Sequence, residues 1–219
     1  MIIDNFDIVL NDNKIFWNFQ KYEDKEKIYY CYYITIIKRR KDPGNEDFNN
    51  IDPNQVLQTF FIYNQKELEE KRDYIIKFCE AFNARAYMSL NPINVTTFLK
   101  NLNSIYLDAL NTVYKYPDIF HFYNSTKYLI NATCIAEKHY YNLIDCDTLI
   151  KEEQEQVCSI INLEKDEDLI LLIMPTLHGI HFITKLFDKI SYNENIKKTD
   201  ISAHYIETPK VLLYYKSLE

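Results

Sequence analysis

Two aspartates one residue apart, Asp145 and Asp147, close the apolar run Tyr141-Asn142-Leu143-Ile144. Residues i and i+2 of a strand project from the same face, so the two carboxylates are expected to stand together. Anions held that close repel unless a cation lies between them, and Mg²⁺ and Mn²⁺ are the hard ions that carboxylate oxygens suit. A cation-loaded pair can hold nucleotide phosphates and activate an attacking hydroxyl. The alternative is a strand that simply ends in two solvated acids.

A second candidate is Thr176-Leu177-His178-Gly179-Ile180-His181, which follows the apolar stretch Leu169 to Met174. The chain has only 2 glycines, so each should sit where no other residue will do. A glycine turn between two histidines suits the close approach of backbone to phosphate, with His181 as a donor to an anionic oxygen. Lys185, four residues on, would add positive charge on the same strand face. A tight turn with satisfied histidines explains the same residues without chemistry. Asp200 is a candidate third carboxylate, and otherwise an ordinary loop aspartate. His121, His139 and His204 are isolated in sequence, and no P-loop or GxGxxG occurs, which excludes the usual NTPase and dinucleotide classes.

The elements that must carry these residues follow from periodicity. Aromatic and β-branched residues mark strands over 28–38 and 56–63. A helix is expected over 65–82, with Asn64 as N-cap and Asn83 as its stop, and a second over 95–114. Further strands are expected over 84–90, 139–144, 169–174, 181–185, 201–205 and 211–215, with a helix over 148–161. Residues 115–136 show no clear period. The order implies an α+β fold built on one mixed sheet with flanking helices, in a single domain over 1–219 with an N-terminal ββα unit at 1–83.

The net charge of −7 disfavours a broad electrostatic footprint on duplex DNA. The basic run Lys38-Arg39-Arg40-Lys41 reads as a solvated strand end. The 19 Tyr and 13 Phe fit the codon bias of an AT-rich genome, and a base-stacking surface is the alternative. The 5 cysteines form no CxxC and are expected to be reduced core residues. With no signal peptide and no stretch near the ~20 apolar residues of a membrane span, a cytoplasmic protein without membrane partners is expected.

In this order the motifs resemble the archaeo-eukaryotic primase (primase-polymerase) superfamily, in which a strand of the form hhhDhD precedes a small-residue turn bearing a histidine and then a third acid. Leu143 to Asp147 matches the first, Thr176 to His181 the second, and Asp200 the third. Ala86-Tyr87-Met88-Ser89-Leu90-Asn91-Pro92 resembles the strand ahead of the core in phage members. The chain also resembles small phage proteins with an Ala-Arg-Ala-Tyr strand, a DxD strand and a His-bearing turn ending in Ile-Thr-Lys. The resemblance spans about residues 84–215. It implies an RRM-like core, with Asp145, Asp147 and Asp200 binding Mg²⁺ or Mn²⁺ and with Asp145, Asp147 and His181 as the catalytic residues. Thr176, His178, Gly179 and Lys185 would then contact nucleotide. The implied activity is nucleotidyl transfer on nucleotides or single-stranded nucleic acid, in the host cytoplasm if the protein is phage-encoded. Two alternatives stay open. One is an inactive phage accessory that binds a host protein or nucleotide. The other is a metal-dependent nuclease or phosphohydrolase using the same carboxylates.

Overall fold

A computed structural model describes residues 1–17, 30–45, 54–113, 140–163 and 168–217; at 105, 106 and 108–113 it describes the backbone alone. The aperiodic stretch 115–136, the strand start at His139 and Cys134 lie outside the described residues.

Alternation and capping explain the elements. The strands are β1 (Ile2–Asp4), β2 (Tyr30–Arg39), β3 (Asn54–Ile62), β4 (Arg85–Ser89), β5 (Ile93–Asn94), β6 (Asn142–Cys146), β7 (Ile170–Pro175), β8 (Ile180–Thr184), β9 (Ala203–Ile206) and β10 (Lys210–Lys216). The helices are α1 (Phe6–Asn11), α2 (Gln65–Phe82), α3 (Val95–Val113), α4 (Lys151–Ile161) and α5 (Lys189–Ile196). The ends of α2 are set as the sequence predicts. Asn64 Oδ1 accepts from the Glu67 N–H at 2.9 Å, and Asn83 adopts the left-handed conformation at φ 48°. Its buried face is Leu68, Ile75 and Cys79. Elements β1, α1, β5 and α5 are additions to the sequence-based expectation.

The strands form two sheets, correcting the expectation of one mixed sheet. The first runs β1-β10-β4-β2-β3, with β5 also on β2, and the second runs β7-β8-β6-β9; every pairing is antiparallel. The second sheet owes this to connectivity. Residues 142–206 read β-α-β-β-α-β, and the returning strand β8 inserts between β6 and β7, so neighbours always oppose. Residues 84–113 and 207–217 lie with the first sheet.

Each strand of the second sheet has one face for its helices and one for the first sheet. Ile144, Cys146, Phe182 and Ala203 pack against Val157, Ile161, Tyr192 and Ile196 of α4 and α5. Phe182 is fully buried there, and truncating such a side chain to alanine costs about 3–5 kcal/mol. On the other face Leu143, Met174 and Ile183 join the main core, which α1 and α2 build against Ile34, Ile36, Ala86 and Met88 of the first sheet.

Buried amides clamp the two sheets together. Asn5 Nδ2 donates to Pro175 O at 2.9 Å and to Leu212 O at 2.8 Å, bridging β7 and β10. Asn91 Oδ1 accepts from the N–H groups of Tyr140 and Tyr141, and its Nδ2 donates to Tyr141 O, which fixes the entry to β6. The four described cysteines are free thiols, and no described helix is long and apolar enough to cross a membrane.

Candidate functional site: a cleft between the two sheets

Strand register builds one wall of the cleft. Asp145, on the central strand β6, faces His181 of β8 on one side and His204 of β9 on the other. Directly opposed residues share a face, so the three side chains stand in a row. His181 Nε2 lies 3.3 Å from Asp145 Oδ1. Asp147 lies past the end of β6 but continues its ladder, its N–H donating to Ser202 O at 2.8 Å, and its side chain is exposed.

Gly179 brings the histidine turn onto this wall. A Cβ built there would meet Cys146 O at 1.9 Å and Thr148 N at 2.7 Å. The turn therefore lies directly on the backbone between the two aspartates, and close approach is what requires the glycine. Thr176 N–H donates to Gly179 O at 2.9 Å to close the turn, and Leu177 packs with Leu212 and Tyr87 of the first sheet.

The opposite wall is cationic. Arg85 and Tyr87 of β4, Arg39 at the end of β2 and Lys210 of β10 face the second sheet. Buried Arg85 is held by Asp42 through two hydrogen bonds, at 2.6 and 2.9 Å, and lies 4.4 Å from the Tyr215 ring centre. Burial opposes its charge, but the Asp42 bonds and the neighbouring Tyr87 outweigh this and raise its pKa above the ordinary arginine value. Tyr87 Oη lies 3.5 Å from Nη1 of both Arg85 and Arg39. Arg39 has no ion pair among the described residues.

Two adjoining cavities, of about 190 and 360 Å³, share Arg39, Tyr87, Asp145 and His181 as lining and so form one cleft. Burial alone would raise the Asp145 carboxyl. The His181 hydrogen bond and the charges of His181, His204 and Arg39 outweigh it and hold Asp145 below the usual aspartate value. Burial, then the negative charge of Asp145 and Asp147, push the Cys146 thiol up to about 11, which removes it as a thiolate nucleophile near neutral pH.

Asp145, Asp147, Thr176, His178 and His181 all line the smaller cavity, with Gly179 beneath them. Lys185 follows the far end of β8, where its N–H donates to Leu169 O, and it does not line the cleft. Asp200 is exposed in the segment before β9 and does not line it either. No three His, Cys, Asp or Glu side chains among the described residues already converge as a metal-binding group.

Sequence reasoning missed Arg39, Arg85, Tyr87, Lys210 and His204. The two-residue period of Ala84-Arg85-Ala86-Tyr87 places Arg85 and Tyr87 on one strand face, which is the signal available. Comparison of the chain with protein families, curated proteins and solved structures gives no significant match.

Proposed function

We propose that the chain is a metal-dependent nucleotidyltransferase of primase-polymerase type, with nucleotide bound between the Asp145 wall and the Arg39 wall. One observation carries the reading: a DxD pair on the central strand of a β-α-β-β-α-β sheet faces unpaired Arg39 across a cleft of nucleotide scale. That strand order also suits the RRM-like core which the motif resemblance implies.

The donor set fits a divalent cation. His181 engages Asp145 Oδ1, and Asp147 has no ion pair among the described residues, so Asp145 Oδ2 and the Asp147 carboxylate would hold it. When bound, such an ion neutralises phosphate charge and eases deprotonation of the attacking hydroxyl. The chain does the rest by position. His181 orients Asp145. Arg39 and Lys210 receive phosphate charge from the opposite wall, where a low-dielectric cleft strengthens the attraction. The buried Thr176 Oγ1 has no hydrogen-bond partner and is a donor for an anionic oxygen. Gly179 keeps the turn close enough to share the site with the aspartates.

The inactive accessory is a second reading, favoured because Asp200 does not line the cleft. Primer synthesis and extension on single-stranded DNA with Mn²⁺ and labelled nucleotides separates the two. Product from wild type and none from Asp145→Asn supports the transferase. Nucleotide binding without product, under conditions in which a known primase is active, supports the accessory.

A further inference from the structure

We infer that His204, in place of Asp200, completes the cation site, and that the site therefore prefers a first-row transition ion to Mg²⁺. This rests on the reading that Asp145 and Asp147 bind a divalent cation.

The argument comes from register. Asp145 opposes His204, and Asp147 N–H pairs with Ser202 O, so β6 and β9 present Asp145, Asp147, Ser202 and His204 as the corners of a square on one face. Directly opposed side chains on antiparallel strands have Cβ atoms about 5 Å apart, close enough for two groups to share one ion. His204 is exposed, and its Nε2 rests on Ser202 Oγ at 3.3 Å. That single weak contact leaves the ring able to turn toward the aspartates. His204 is also close enough to Asp145 for its charge to help lower the carboxyl pKa.

A second, independent observation points to a ligand here. Thr176 and His181 line the cavity that holds both aspartates, and they are only 8% and 6% exposed. Yet Thr176 Oγ1 and His181 Nδ1 have no hydrogen-bond partner. Buried polar atoms without partners are uncommon, and these two lie where an ion and its attached oxygens would supply partners.

The donor set decides the ion. Mg²⁺ is held by oxygen and keeps its water, whereas imidazole nitrogen suits first-row transition ions. Two carboxylates and one imidazole discriminate against Mg²⁺ in a way that three carboxylates do not.

The test is pulsed electron paramagnetic resonance of Mn²⁺ bound to the intact chain, with Mg²⁺ competition read by titration. Wild type should show imidazole nitrogen coupling to Mn²⁺. His204→Ala should lose it while His181 remains, and should weaken Mn²⁺ binding by at least the roughly 10–100-fold seen for loss of an outer-shell partner. His204→Asp should retain Mn²⁺ but allow Mg²⁺ to displace it at a lower ratio. Far-UV circular dichroism of both variants checks folding, which an exposed position should not disturb. Mn²⁺ bound to wild type without nitrogen coupling, or with coupling that survives His204→Ala, overturns this inference alone. No Mn²⁺ binding by wild type overturns the cation site itself, and the inference with it.

Discussion

Replacing Gly179 with alanine tests how the cleft is assembled. The new Cβ would lie 1.9 Å from Cys146 O, about 1.5 Å short of the 3.4 Å at which ordinary contact begins. Thr148 N at 2.7 Å and Cys146 C at 2.9 Å block the same direction. All three are backbone atoms, so no rotamer relieves the clash. Either the turn or the end of β6 must retreat by more than an ångström, breaking the Cys146–Ile180 pairing. Overpacking of this kind costs about 1–3 kcal/mol. With a urea slope of about 2–3 kcal/mol per molar, the upper end of that range lowers the unfolding midpoint by roughly 1 M. Fluorescence of the single tryptophan, Trp17, which packs on the main core, reports the transition. The same retreat separates His181 and Thr176 from Asp145, and misplacement by about 1 Å can cost roughly 100-fold in rate. A Gly179→Ala protein with the wild-type midpoint would refute the close-approach argument.

Three further outcomes are expected. Asp42→Ala leaves the Arg85 guanidinium buried without its carboxylate and should cost about 3–5 kcal/mol in denaturant unfolding, whereas the Asp42→Leu/Arg85→Met pair should recover most of the loss. Asn64→Ala removes the α2 N-cap bond and should cost about 1 kcal/mol by the same assay. The folded-state pKa of Asp145 is depressed, so its contribution to stability is present above the ordinary aspartate value of about 3.9 and is lost as pH falls through the lower folded value. Asp145→Asn should therefore be less stable than wild type at neutral pH, with the gap closing in acid; a gap independent of pH would contradict the His181 pairing.

Local signals in the sequence gave most of the elements. The caps of α2 were legible because Asn64 and Asn83 act through their own neighbours. The pairing of Asp145 with Asp147 was legible because strand period alone sets it, and the role of Gly179 because glycine is so scarce. Sheet membership was not legible. The insertion of β8 between β6 and β7 depends on long-range pairing, which turned an expected single mixed sheet into two antiparallel ones. The cationic wall was hidden for the same reason. Arg39 sits in a basic run that reads as a solvated strand end, and only the packing of one sheet on the other brings it near Asp145. His204 looked isolated because its partner is 59 residues away in sequence yet directly opposite it in the sheet. Helix α5 was missed because Lys189 to Ile196 is short and buries only Tyr192 and Ile196.

The central claim, that Asp145 and Asp147 hold a divalent cation in a cleft that takes nucleotide, is tested most directly by calorimetric titration of Mn²⁺ with a nucleoside triphosphate. Wild type should bind nucleotide only when Mn²⁺ is present, and the Asp145→Ala/Asp147→Ala protein, folded by circular dichroism, should bind none. Equal binding by both proteins, or no binding by wild type, would contradict the account.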